Sequence, residues 1–257
     1  RFSQLEVLEE VHQQAYLVKR QPDDVHLIGD GQDDFDPELA TAQNAGDLAE
    51  NDDGETINSF TNMAKDYGFA IAGSFIGTGE KKSSDKKYYN RGFFIKPDGE
   101  KSFYNKRHTF RMGEENMYYA EGNEKMIVKY MGWNISMIIC YDLRFPVWTR
   151  NVDNQYDLLL VVANWPEVRQ EVWKSLLTAR AIENMSYVCG VNRVGIDGMG
   201  IKYPGESRLI NAYGTNMTSI DSVSGSIETI EIDLQPLNRL REKFPVWKDA
   251  DRFEIKL

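Results

Sequence analysis

Cysteine is nearly missing from this chain: 257 residues carry only Cys140 and Cys189, 49 positions apart. So few and so distant a pair offers neither a disulfide framework nor a metal-ligand spacing, and it suits a reducing compartment. Histidine is almost as scarce. His12, His26 and His108 are scattered without an HxxxH or CxxC grouping, so a zinc site is not expected. None of the three has a setting that marks the base of a Ser–His–Asp or Cys–His hydrolase. No apolar run reaches the roughly 18 residues that a membrane span needs, and no charged-then-apolar leader opens the chain. The expectation is a cytoplasmic protein with no membrane partner. Excess positive charge is absent as well: the net charge is −10, which speaks against nucleic acid as a partner because phosphates would find no surplus of Lys and Arg.

The acidity is local. Residues 21–55 hold twelve Asp and Glu and no Lys or Arg, leaving 28 acidic and 30 basic residues elsewhere. Asp30-Gly31-Gln32-Asp33-Asp34 does not match the EF-hand ligand template, so a solvated acidic loop is the plain reading.

What is present is an ordinary globular composition, 41% apolar and 27% charged, over a length that can bury a large core. The spacing of Leu5, Leu8, Val11, Tyr16 and Val18 predicts an amphipathic helix over 5–19, then a short strand at 25–28. A helix over 56–66 leads into a strand at 69–76. Pro97-Asp98-Gly99 joins a predicted hairpin of 88–95 with 101–104. Strands follow at 126–131, 134–139 and 157–163, the last apolar enough to be buried on both faces. Pro166 precedes a predicted helix over 167–184. Strands at 187–191, 206–210, 217–220 and 226–232 and a terminal helix over 234–244 complete the chain. Helices between strands at some points and hairpins at others predict one mixed α/β sandwich domain over 1–257.

Chemistry gathers at two places. The apolar run Ile135–Ile139 ends abruptly in Cys140-Tyr141-Asp142, with Arg144 and Pro146 close behind. A thiol at the mouth of a buried strand, before a sharp bend, sits where α/β sheets present reactive groups. Lys106 lies in a loop, 105–115, too rich in ionisable and aromatic residues to be filler. A free thiol is only a few per cent ionised at neutral pH. With no histidine well placed, a carboxylate must take its proton and an ammonium must favour the thiolate. Attack on an amide or nitrile carbon also needs donors for the developing oxyanion, which a lysine and the backbone N–H after the nucleophile can supply.

The order YNKRHTFRMGEEN, IICYDLRFPVWTRN, VVANWP, ARAIEN and VNRVG resembles the nitrilase (carbon–nitrogen hydrolase) superfamily, and within it the bacterial ω-amidase branch. The likeness is dense from about Gly68 onward. It implies an αββα sandwich, a homodimer pairing helical faces into a four-layer αββα–αββα body, and no metal or organic cofactor. It implies a Glu–Lys–Cys amidase: Cys140 forms an acyl-thioester, Lys106 and the Tyr141 N–H hold the oxyanion, and Glu115 orients the lysine. Asp142 and Arg144 are read mainly as holding the nucleophile turn, with contact of Arg144 to substrate left open. Asn164 and Trp165 are expected to shape the pocket, and Arg180 with Glu183 to pack a helix. The substrate implied is a small ω-amide of the 2-oxoglutaramate type. Nitriles, N-carbamoyl compounds, deaminated-glutathione-like amides and a catalytically weak ligand-binding scaffold are the alternatives.

The N-terminal quarter departs from this pattern. The family's general base is a glutamate closing a strand on Leu-Pro-Glu. Here the layout places that position at Asp30, whereas the Pro-Glu dipeptide occurs at Glu38. An aspartate reaches about one C–C bond less far, which matters at a site intolerant of an ångström. Both candidates stay open at this point.

Overall fold

The computed structural model describes residues 15–18, 24–28, 45–79, 88–219 and 227–256. Two short strands open it, β1 (Ala15–Val18) and β2 (Asp24–Ile28). The single turn α1 (Ala45–Leu48) precedes α2 (Glu55–Tyr67). Helix α2 stops where Gly68 turns left-handed at φ 70° and donates its N–H to the Ala64 carbonyl, a conformation that glycine adopts without a Cβ clash. Then come β3 (Ala70–Thr78), β4 (Tyr88–Ile95) and β5 (Lys101–Asn105). The turn α3 (Glu115–Tyr118) leads to β6 (Met126–Tyr130), β7 (Trp133–Ile139) and the turn α4 (Pro146–Thr149). Strand β8 (Leu158–Ala163), the long helix α5 (Gln170–Asn184) and β9 (Tyr187–Asn192) follow. The chain ends through β10 (Val194–Ile196), β11 (Lys202–Pro204), β12 (Arg208–Ile210), β13 (Ile227–Glu231) and α6 (Leu234–Lys243).

The strands make two large sheets. One is antiparallel in the order β13-β2-β1-β3-β4-β5, and the other runs β12-β9-β8-β7-β6, with β7, β8 and β9 parallel to one another. Residue alternation decides the layers. Ile71, Phe75, Phe93 and Ile95 turn to one side and bury against Ile57, Phe60 and Ala64 of α2. Ala70, Ala72, Phe94 and Tyr104 turn to the other and join Ile135, Met137 and the parallel strands in the main core. That core continues to Trp173, Leu177 and Ala181 of α5. The order α2, sheet, sheet, α5 is the expected α/β layering. Glycine makes one close approach possible: a Cβ on Gly190 would stand 2.5 Å from a Leu177 methyl and 2.8 Å from the Trp173 ring. At the far end, Arg241 of α6 pairs with buried Asp157 at 2.6 Å and donates to the Tyr156 and Met185 carbonyls, which anchors α6 to the root of β8.

Two local expectations are corrected, and one element is new. Residues 15–18, read as the end of a helix, form β1, because pairing with Ala70–Gly73 of β3 and Val25 of β2 overrides the helical spacing. Residues 217–219 carry no strand; only an isolated bridge between Asn216 and Ile210 forms there. The hairpin of β10 and β11 goes unforeseen, because its strands, Val-Gly-Ile and Lys-Tyr-Pro, are too short to show an alternation.

Candidate active site

The parallel strands deliver their carboxyl ends side by side. Ile139 pairs with Val162 and Ala163 with Asn192, so Cys140 after β7, Asn164 after β8 and Arg193 after β9 emerge together. This is the edge at which α/β sheets hold ligands. Cys140 itself takes φ 46°, a left-handed backbone that costs a non-glycine residue about 1–3 kcal/mol and turns its side chain out of the sheet. The turn is held from both sides. Asp142 accepts the Ile139 N–H at 3.2 Å, and Arg180 of α5, itself buried, donates to the Leu143 carbonyl at 2.6 Å. Arg180 also meets Glu183 at 2.9 Å, as helix spacing predicts. Tyr141 lies in the first turn of the short 3-10 helix Cys140–Arg144, where backbone N–H groups lack intrahelical acceptors.

Lys106 arrives from the other sheet, one residue beyond β5. Its side chain is 2% exposed, and its Nζ donates to both Glu115 oxygens, at 2.8 and 2.6 Å. Glu115 begins α3 behind a left-handed Glu114. It accepts the Phe110 N–H at 2.5 Å and the Asn90 amide at 3.3 Å, so its orientation is set by four donor contacts. Burial pushes the Lys106 ammonium down, but Glu115, with Cys140 and Asp142 behind it, outweighs burial and leaves the pKa raised above the ordinary lysine value. Lys106 is therefore a fixed cation and no proton acceptor at neutral pH.

Cys140 is partly exposed, and its Sγ donates to the Asn164 carbonyl at 3.7 Å. Burial pushes the thiol's pKa up by more than Lys106 pulls it down, with the Glu115 and Asp142 charges adding to the rise. The resting nucleophile is thus a thiol that needs a base to shed its proton. Asp30 and Glu38, the two expected bases, lie outside the described residues.

Aromatic rings join the two halves of the site. Tyr141 meets Phe110 and Phe145 edge-on, each at 5.1 Å. Trp165 is buried, and the Arg144 guanidinium lies over its ring at 5.1 Å. Asn192 takes the Trp165 N–H at 2.6 Å and donates to the Trp165 and Gly205 carbonyls. It thereby fixes the peptide whose other end, the Asn164 carbonyl, receives the Cys140 thiol. Across the mouth, Tyr203 of β11 lies within electrostatic reach of Cys140, its phenol held protonated by burial and by its bond to Asp197. The sequence reading gives Asn192, Tyr203 and His108 no role; the strand-end position of Asn192 beside Ala163 and the place of His108 two residues after Lys106 are signals that could have marked them. Among the described residues no cluster of His, Cys, Asp and Glu is arranged to hold a metal ion.

A strand-end thiol on a left-handed turn beside a carboxylate-held ammonium is apparatus for acyl transfer from nitrogen. The profile of the carbon–nitrogen hydrolase family matches residues 35–242. The chain belongs to the carbon–nitrogen hydrolase family. This hydrolase is 46% identical over 211 residues to the omega-amidase YafV of Escherichia coli K12, covering 82% of this chain and 79% of that protein. It is 32% identical over 219 residues to the 2-oxoglutaramate amidase of Bacillus subtilis strain 168, covering 83% and 82%. Its fold superposes on the crystal structure of a CN-hydrolase superfamily protein from Xanthomonas campestris that carries an arsenic adduct in its active site. There the TM-score is 0.78 and the identity 33%, over 91% of this hydrolase and 99% of that chain. Among its described residues no helix is long and apolar enough to cross a membrane.

Proposed function

We propose that this hydrolase is an ω-amidase, converting a small amide of the 2-oxoglutaramate type to its carboxylate and ammonia. The observation that carries the reading is the Lys106 ammonium, buried, gripped by both Glu115 oxygens and electrostatically coupled to the Cys140 thiol. A carboxylate base, Asp30 or Glu38, takes the thiol proton as Cys140 Sγ adds to the amide carbon. The carbonyl π electrons move onto oxygen, which the Lys106 ammonium and the Tyr141 N–H stabilise. The proton passes to nitrogen, the C–N bond breaks, and ammonia leaves an acyl-thioester on Cys140. Water then adds with the same base accepting its proton, the C–S bond breaks, and the sulfur is reprotonated as the carboxylate leaves.

Arg144 supports a substrate that carries a free carboxylate besides the amide. It sits on Trp165 beside Asn164, and among the described residues no acidic side chain pairs with it. Association into a homodimer through the α5 side fits the exposed Ile182 and Tyr213, 51% and 67% accessible, with the turn at Gly214 packed against Ile182. The deciding experiment is ammonia release from 2-oxoglutaramate by purified protein, with Cys140→Ala as control and Arg144→Gln expected to raise KM more than it lowers kcat. Activity that survives Cys140→Ala ends the proposal.

A further inference from the structure

Along the sequence nothing pairs His108 with a carboxylate, yet the fold closes it onto one. Asp142, two residues past the nucleophile, is fully buried and accepts four hydrogen bonds. The Tyr104 hydroxyl donates at 2.7 Å, the His108 N–H and its ring Nδ1 each at 2.8 Å, and the Ile139 N–H at 3.2 Å. Tyr104 and His108 stand two residues before and two after Lys106, while Ile139 precedes Cys140. One carboxylate therefore fastens both flanks of the lysine to the nucleophile turn. The imidazole is held in plane, stacked on Phe145 at 3.7 Å and 8° and edge-on to Trp148 at 6.2 Å. Trp148 in turn donates to the Tyr104 hydroxyl at 2.9 Å. With a carboxylate as acceptor, Nδ1 carries the proton, and a buried carboxylate holds its donors tightly because a missing one leaves charge uncompensated.

We propose that His108 is a positioning residue of the hydrolase reaction, using Nδ1–H on Asp142 to hold the Lys106 ammonium and the Cys140 sulfur at their working separation, and that it does not carry protons through Nε2. The proposal rests on the reading of Cys140 and Lys106 as nucleophile and oxyanion holder. Asparagine and glutamine separate the two ring nitrogens: in place of the imidazole, an asparagine amide puts a donor where Nδ1 stands, and a glutamine amide reaches where Nε2 stands.

The test compares wild type with His108→Ala, His108→Asn and His108→Gln. It measures kcat and KM on 2-oxoglutaramate, iodoacetamide labelling of Cys140 at pH 7, and the melting temperature. Alanine is expected to lower kcat about 100-fold, the scale of an ångström's misplacement, with KM little changed. Labelling should slow about tenfold, as a one-unit rise in thiol pKa would make it. Asparagine should return both rates to near wild type, and glutamine should not. Rescue by glutamine in place of asparagine, or a full kcat in a folded alanine variant, overturns the proposal. So does a common loss in all three variants that tracks melting temperature alone. If the alanine variant does not fold, the asparagine–glutamine pair decides. A wild type that releases no ammonia defeats the ω-amidase reading, whereas the labelling order still judges the clasp.

Discussion

Replacing Glu115 by Gln deletes one charge and keeps the side chain's shape, which makes it the sharpest probe of the buried pair. The two oxygens lie 2.6 and 2.8 Å from Nζ, and the partners are 2% and 18% exposed. At an effective dielectric of about 20 and a charge separation of roughly 3 Å, the attraction lost is about 5 kcal/mol. Relaxation and the partial exposure of Glu115 reduce the net cost to about 3 kcal/mol, the low end for breaking a buried ion pair. The sign follows from protonation. In the wild type the Lys106 pKa is raised, so the stability it contributes is complete below the ordinary lysine value and is lost only as pH rises through the raised one. In the variant only the Cys140 and Asp142 charges are left to oppose burial, the largest single influence on the ammonium, and the folded pKa falls below the ordinary value. The charge then costs stability at neutral pH, and that cost fades as pH rises into the lysine range. Glu115→Gln should melt lower than wild type at pH 7, with the gap narrowing toward pH 10. Its kcat should fall about 100- to 1,000-fold, as when an oxyanion donor is lost, and the alkaline limb of kcat/KM should move to lower pH. Melting curves by circular dichroism across pH and an ammonia-release profile measure both. Equal melting at pH 7 together with an unmoved alkaline limb would refute the claim that Glu115 keeps Lys106 charged.

Other outcomes follow from single contacts. Iodoacetamide should label Cys140 with a rate that climbs with pH, because its thiol pKa is raised, while Cys189, 2% exposed and pushed up further by burial, stays unlabelled in the folded protein; peptide mass mapping distinguishes them. Gly190→Ala should cost about 1–3 kcal/mol in urea unfolding through overpacking, since its methyl meets Leu177 and Trp173. Asn192→Ala should cost about 1–3 kcal/mol by leaving the buried Trp165 N–H unpaired. It should also lower kcat, because the peptide that bonds the Cys140 thiol loses its anchor.

Much of this site is local enough to read in one dimension. Cys140 ends an apolar run, Lys106 follows a hairpin signalled by Pro97-Asp98-Gly99, and α5 shows its spacing, so the backbone that carries each group is legible before any folding. What escapes is contact across sequence distance. His108 looks isolated because Asp142 is 34 residues away. Asn192 looks like a strand terminus until Trp165, 27 residues earlier, closes on it. The helix expected over 5–19 fails at 15–18 for the same reason, since edge-to-edge pairing with β3 is invisible to a periodicity of apolar residues.

The nucleophile and the cation reach each other from opposite leaves of the core, Cys140 from the mixed sheet at the end of β7 and Lys106 from the antiparallel one. Between the leaves, Gly92 lets the Met137 side chain lie so close that a Cβ there would stand 2.8 Å from its sulfur. Turnover is therefore a gauge of how the two leaves are seated. A side chain that wedges them apart at Gly92, remote from any substrate, should dull the chemistry well before it unravels the protein.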